Sequence, residues 1–379
     1  MAQELETIAP EEDEVSMLGG LKLSPGQVEA CDKIYDWFKN GDSKTFVLAG
    51  YAGTGKTTMA KEIARLIGNV HFCAFTGKAA NVLREKGCRG ASTIHGSIYK
   101  LERIKETGKM IFTLNTESII EKKKLIIVDE YSMLPKEIIE DLALFNVKIL
   151  YLGDNFQLPP VFGVCPLVPD HFLTEVHRQA LDNPILRAAT MVREDGRLGG
   201  FVKGDRFSFL PEHEVGPEEY VDADQVIVGY NATRTKYNAR FRKIYGRTSK
   251  YPQAGDKMIC LKNNTEQGLF NGMMGVCSGD AEFTMTPGTV MFNMEVDGLD
   301  RVIKRCWDGD FLGKDTRSAP REFDRFDYAY AITCHKSQGS EFNNTLVRME
   351  PVGKTEVDKQ KWVYTALTRA KEKLTLVRP

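Results

Sequence analysis

The chain has 379 residues, enough for two or three compact units at roughly 150 residues each. Its 42% hydrophobic and 27% charged residues are ordinary for a soluble globular chain, and no run approaches the ~18 uninterrupted apolar residues of a membrane helix. Lys and Arg number 51 against 52 Asp and Glu, a net charge of −1 that excludes polyanion binding through bulk charge alone but leaves room for a local basic track. The first residues lack the basic, apolar and small-residue succession of a secretory signal. The eight cysteines (Cys31, Cys73, Cys88, Cys165, Cys260, Cys277, Cys306 and Cys334) stand singly with no C-x-x-C pair, so reduced, mostly buried thiols are expected.

In chain order, six carboxylates and no base within the first fourteen residues predict an acidic, disordered tail over 1–20. Ser24 as N-cap and Pro25 at the first helical position open a helix with Val28, Cys31, Ile34, Tyr35 and Phe38 at helical spacing. A strand at Thr45–Ala49, a helix at Met59–Ile67 and strands at Val70–Ala74, Leu125–Val128 and Val147–Leu152 follow. The pattern restarts at Gln225–Val228 and ends with a helix over 358–370 and a strand over 373–377. Apolar strands alternating with helices predict a parallel sheet covered on both faces. Between the two stretches, 255–322 carries short β-like runs (Lys257–Leu261, Gly275–Ser278, Val290–Val296, Arg301–Arg305) and Asn-Gly, Pro-Gly and Asp-Gly turns, an all-β insertion. Asn231–Lys250 holds seven bases (Arg234, Lys236, Arg240, Arg242, Lys243, Arg247, Lys250), three interleaved aromatics and no acid; it is either a phosphate track or the solvated face of a helix.

Gly50-Tyr51-Ala52-Gly53-Thr54-Gly55-Lys56-Thr57 fits G-x-x-x-x-G-K-[ST] between a strand and a helix. Glycines let backbone N–H groups converge on phosphate oxygens, Lys56 reaches the β- and γ-phosphates of ATP, and the Thr57 hydroxyl ligates Mg²⁺. Ile126-Ile127-Val128-Asp129-Glu130 ends an apolar strand in two carboxylates: Asp129 to hold the metal and Glu130 to polarise an attacking water. Together they predict an ATP-hydrolysing site.

Further stretches carry a family resemblance: Leu23-Ser24-Pro25-Gly26-Gln27; Phe75-Thr76-Gly77-Lys78-Ala79-Ala80; Ser92-Thr93-Ile94-His95-Gly96; Leu152-Gly153-Asp154-Asn155-Phe156-Gln157-Leu158-Pro159-Pro160; Thr174-Glu175-Val176-His177-Arg178-Gln179; Thr333-Cys334-His335-Lys336-Ser337-Gln338-Gly339; and Val363-Tyr364-Thr365-Ala366-Leu367-Thr368-Arg369-Ala370. In this order they resemble superfamily 1 helicases, specifically the RecD/Dda-like branch (superfamily 1B) of phage or bacterial type, over roughly residues 23–379. Phe75 departs from the family's proline.

The resemblance implies an α/β fold with two RecA-like parallel-sheet P-loop motor domains, 1A over 21–96 and 125–183 and 2A over 184–254 and 323–379. It also implies a hairpin wedge, 1B, over 97–124 and an SH3-like β-barrel, 2B, over 255–322. Gln27 reads adenine, and Gly50, Gly53, Thr54, Gly55, Thr58, Gly339 and Glu341 join Lys56 and Thr57 around the nucleotide. Gln157 senses the γ-phosphate, and Arg178 and Arg369 are arginine fingers. Thr76, Lys78, Thr93, His95, Asn155, Thr333, His335, Lys336 and Ser337 contact DNA, with Phe112 at the wedge.

The implied activity is ATP- and Mg²⁺-dependent unwinding by a cytoplasmic monomer that moves 5′→3′ on single-stranded DNA, acts at single-strand/duplex junctions and does not engage a membrane. Single-strand-binding, replication or recombination proteins are candidate partners. A motor subunit of a nuclease or recombination complex, a partner-loading ATPase without strong unwinding, and an RNA helicase are the alternatives.

Overall fold

Apolar strands with both faces covered can pair in parallel only through helical crossovers, and this chain builds two such sheets. The computed structural model describes residues 17–18, 21–103, 110–160, 163, 165–175, 182–264, 267, 269–296, 299–313, 319–320 and 322–379. The expected tail lies outside the described residues except for β1 (Met17–Leu18), which pairs antiparallel with β2 (Leu21–Lys22). Ser24 caps α1 (Pro25–Asn40) in a reciprocal box with Gln27, as its position before Pro25 predicts. The buried stripe of α1 is rotated from the expected one: Ala30, Ile34 and Trp37 face inward while Tyr35 is 48% exposed.

The first half continues through β3 (Thr45–Gly50), α2 (Lys56–Ile67), β4 (Val70–Ala74), α3 (Gly77–Glu85), β5 (Ser92–Thr93) and α4 (Ile94–Ile98). An antiparallel hairpin of β6 (Tyr99–Arg103) and β7 (Met110–Leu114) precedes β8 (Leu125–Asp129), α5 (Lys136–Ala143), β9 (Lys148–Gly153) and β10 (His171–Leu173). The sheet order is β10-β3-β9-β8-β4-β5, all parallel. Period-2 alternation splits the core in two. Leu48, Ile127 and Leu150 pack under α1, α2 and α3, whereas Val47, Ile126 and Ile149 pack under α4 and α5.

The second half runs α6 (Pro184–Asp195), β11 (Phe207–Pro211), α7 (Pro217–Asp222), β12 (Gln225–Val228) and α8 (Asn231–Ile244). After an antiparallel region it resumes with β19 (Ala331–Thr333), α9 (Cys334–Ser337), β20 (Phe342–Arg348), α10 (Glu356–Leu367) and β21 (Ala370–Arg378), as a parallel sheet ordered β11-β21-β20-β12-β19. Thr355 and Asp358 form a capping box, so α10 starts two residues earlier than expected; it ends at Leu367, which leaves Arg369 beyond the helix.

The antiparallel region comprises β13 (Lys257–Cys260), β14 (Met274–Cys277), β15 (Glu282–Phe283), β16 (Thr289–Val296), β17 (Leu299–Trp307) and β18 (Phe326–Tyr328). It runs past residue 322 because β18 pairs with β13. Its core residues Met258, Phe292 and Phe326 merge with Val226, Val228 and Leu346, so the sheet packs against the second parallel sheet. All eight cysteines are free thiols.

The basic run is only partly available to solvent. Arg242 Nε donates to both Asp256 oxygens at 3.1 and 3.2 Å, and its other nitrogens donate to the Ser249 and Tyr251 carbonyls at 2.7 and 2.9 Å. Arg234 pairs with Asp327. All three nitrogens of the buried Arg242 guanidinium are hydrogen-bonded, which offsets its desolvation. The exposed bases are Lys236, Arg240, Lys243 and Lys250.

Candidate functional site

Parallel strands deliver their following loops to one edge, and the chemistry-bearing residues gather there. Gly53 and Gly55 adopt φ of 81° and 77°, left-handed values that glycine takes without a Cβ clash, and turn the β3–α2 loop into the helix start. Lys56, the first residue of α2, folds back so that Nζ donates to the Gly50 and Tyr51 carbonyls at 2.7 and 2.9 Å. Gln27 Nε2 donates to the Thr54 carbonyl at 2.9 Å and braces the loop from α1.

At the end of β8, Asp129 Oδ2 accepts from the Thr57 hydroxyl at 3.4 Å. Glu130 follows at φ 57°, an uncommon backbone for a residue with a side chain and the kind of strain that collects at working sites. A cleft of about 260 Å³ opens over these groups. Lys56, Thr57, Thr58, Asp129, Glu130, Asp154 and Gln157 line it from the first half, and Gly339, Glu341, Thr368 and Arg369 from the second. At Gly339 (φ 68°) a Cβ would come 2.9 Å from the Ala79 Cβ, so the halves meet too closely there for any larger residue.

Burial raises the Glu130 pKa against the opposing pull of Arg369, and burial likewise raises that of Asp129 against Lys56. An elevated glutamate suits a base that takes a proton from water. Burial would also raise Glu341, but Lys86, Arg369 and Lys371 outweigh it and hold this carboxyl below its usual range. Gln157 is buried with Oε1 unpaired in the cleft wall, an acceptor suited to an ordered water. Arg369 is 3% exposed; it donates to the Thr365 and Ser340 carbonyls and to Thr368 Oγ1 at 3.0, 3.3 and 3.1 Å.

A hydroxyl and a carboxylate at this spacing are hard oxygen donors that fit Mg²⁺. Among the described residues no cluster of three His, Cys, Asp or Glu could hold a metal. Arg178 lies outside the described residues.

The expected strand-contact residues divide. Thr76 and Thr93 cap α3 and α4, their Oγ1 atoms accepting from Ala79 N and Gly96 N at 3.2 and 3.0 Å, which leaves each hydroxyl hydrogen to donate. His95 lies in an aromatic row with Phe75, Tyr99 and Phe112 at ring separations of 5.9, 5.3 and 6.4 Å. Phe75, where the family has proline, thus adds a ring to this surface. Phe112 is 46% exposed on the hairpin. Lys78 places Nζ 4.3 Å from the Phe342 ring centroid, across to the second half.

Asn155 is exposed and accepts from the Tyr131 hydroxyl. Thr333 and Ser337 are buried, and the Ser337 hydroxyl donates to the Cys334 carbonyl at 2.7 Å. His335 and Lys336 in that motif are half-buried. Burial lowers both, Lys336 to about 8 with Arg234 adding to the shift.

The sequence reading missed Lys86, which lines the cleft and pairs with Glu341 across the halves at 3.2 Å. The signal was present: Ala79 and Val82 fall on one face of α3, Lys86 follows as its C-cap, and all three line the cleft.

Comparison with known proteins agrees with this arrangement. The AAA domain family matches residues 38–163, and the UvrD-like helicase C-terminal domain matches 328–377. The ATP-dependent RecD2 DNA helicase of Deinococcus radiodurans is 28% identical over 365 residues, covering 86% of this chain and 46% of that protein. An uncharacterized protein of Acanthamoeba polyphaga mimivirus is 35% identical over 164 residues, covering 36% of this chain and 33% of its own. The chain thus spans less than half the length of these curated relatives.

Among solved structures, Pif1 helicases described as unwinding forked double-stranded DNA align with a TM-score of 0.58 at 19% identity, covering 94% of this chain and 92% of theirs. Bacteroides Pif1 in complex with ADP-AlF3 and single-stranded DNA aligns at 0.55 and 19%, covering 92% and 91%. An AAA domain on the first parallel sheet and a UvrD-like helicase C-terminal domain on the second are thus matched in order, in a chain that shares its fold with these Pif1 structures.

Proposed function

We propose that this chain is a Mg²⁺- and ATP-dependent DNA helicase that moves 5′→3′ along single-stranded DNA and opens duplex at the junction. The observation that carries the reading is a single cleft whose phosphate loop and carboxylates come from one parallel sheet and whose Arg369 and Glu341 come from the other. Nucleotide bound there bridges the two halves. Lys56 exchanges its loop carbonyls for phosphate oxygens, Thr57 and Asp129 hold Mg²⁺, which supplies charge neutralisation on the phosphates, and Glu130 takes the proton of the attacking water. Arg369 stabilises the charge that develops on transfer. Closure and release of two strand-gripping halves then yields net movement along the strand.

In this reading 21–96 with 125–183 and 184–254 with 323–379 are motor lobes, 97–124 is a wedge and 255–322 an SH3-like clamp. The motor works as a monomer in the cytoplasm of a bacterial or phage-infected cell. Duplexes with a 5′ or a 3′ single-stranded tail test the polarity: strand separation is expected from 5′ tails, and product from 3′ tails alone overturns the assignment.

In this reading Phe112 stacks on the last paired base, a role supported by its exposure beside His95 and Tyr99 at the hairpin. Phe112→Ala is expected to slow unwinding about tenfold, the value of one base–aromatic stack, and to leave strand-stimulated hydrolysis within about twofold. Equal loss of both rates makes Phe112 a packing residue.

A further inference from the structure

Two consecutive residues of the phosphate loop are held from the second half. The Ala52 N–H donates to the Tyr364 hydroxyl at 2.8 Å, and that hydroxyl donates onward to Asp154 Oδ2 at 2.6 Å. One residue earlier, the Tyr51 ring carries the Arg193 guanidinium of α6 3.5 Å from its centroid. Asp154 Oδ1 accepts from the Phe156 N–H at 2.9 Å, and the Phe156 ring meets the Tyr364 ring edge-on at 5.3 Å.

The stretch that follows stays bound to the second half. Lys361 Nζ donates to the Asn155 carbonyl, the Leu158 N–H to Thr365 Oγ1, and Gln338 Nε2 to the Leu158 carbonyl, at 2.9, 2.9 and 2.8 Å. Gln157 sits inside this tethered stretch, and α10, which supplies Tyr364, Lys361 and Thr365, ends two residues before Arg369.

We infer that Tyr364 is a positioning residue that locks the phosphate loop and the Gln157 segment to the second half, with Arg193 as its accessory; the inference rests on the ATP-driven motor reading. Tyr364 holds Ala52 and Asp154, which both line the cleft, and Arg193 holds the loop residue beside Ala52. One hydroxyl satisfies an amide and a carboxylate only while α10 is docked. Withdrawal of α10 leaves both partners without it in a largely dry junction, where an unmet polar group is costly. Loop geometry and lobe position therefore change together. Burial, then the Asp154 carboxylate, push the Tyr364 phenol well up, so it remains a donor throughout.

Steady-state ATP hydrolysis by the full chain, with and without saturating oligothymidylate, tests this in Tyr364→Phe and Arg193→Gln. Tyr364→Phe retains the ring and its contact with Phe156. It is expected to lower the ratio of strand-stimulated to basal turnover about tenfold, the effect of about one buried hydrogen bond, with KM for ATP within about threefold. Arg193→Gln, within α6, is expected to lower the same ratio about threefold through loss of the cation–π contact. A ratio retained in Tyr364→Phe overturns the inference, as does a proportional fall of both rates, which is the mark of a merely structural residue. Absence of strand-stimulated hydrolysis in the unmodified chain sinks the motor reading instead.

Discussion

Lys56→Ala is expected to lower ATP hydrolysis by about three orders of magnitude, the scale of removing one fixed charge from a phosphoryl-transfer site, while single-strand binding persists. The side chain lines the cleft from the first residue of α2, just past a loop held in left-handed glycine conformations. Its present partners are the Gly50 and Tyr51 carbonyls, neutral acceptors that a polyanion displaces readily. Removing the ammonium leaves those carbonyls facing a polar cleft rather than an apolar core, so the fold should survive. Hydrolysis measured beside fluorescence-anisotropy binding of an oligonucleotide separates the two effects. Turnover within tenfold of the parent would show that the loop is not the phosphate cradle.

The turn at 50–57 was legible because its pattern is local: glycine spacing, a lysine and a hydroxyl must be adjacent in sequence to be adjacent in space. Asp129 and Glu130 were legible for a similar reason, since a strand end fixes where their side chains go. The contacts that couple the halves were not, because each joins residues far apart in the chain. Ala52 and Tyr364 are 312 residues apart, and Lys86 and Glu341 are 255 apart.

Burial was the other gap. Composition alone counts Arg234 and Arg242 as members of a basic track, whereas Asp327 and Asp256 draw them inward. Ser337 sits in a motif that the resemblance ties to strand contact, yet its hydroxyl closes the short turn of α9 by donating to the Cys334 carbonyl. The stripe on α1 rotated because Trp37 offers more apolar area than Tyr35 and its indole N–H reaches the Ser43 carbonyl at 2.9 Å, which satisfies the one polar atom it buries.

Arg369→Ala is expected to reduce turnover by about 10³ or more at saturating ATP, the usual contribution of an arginine that meets developing charge on the transferred phosphoryl. The guanidinium is also a structural group, so magnitudes must decide which effect is being read. Its three hydrogen bonds join the end of α10 to Ser340, and cutting them strands acceptors worth about 1–3 kcal/mol of stability. A fold of ordinary stability, about 5–15 kcal/mol, stays populated after that loss. A 10³-fold fall in rate corresponds to about 4 kcal/mol of transition-state energy and cannot arise from a small unfolded fraction.

Arg369→Lys sharpens the distinction. It keeps a cation but loses the planar fork, so it should restore part of the stability and little of the rate. Turnover, nucleotide affinity and thermal midpoint measured on both variants give the answer. If the alanine variant hydrolyses ATP at the parental rate, Arg369 is a helix-end tether and the charge on the γ-phosphate must be met by a different cation.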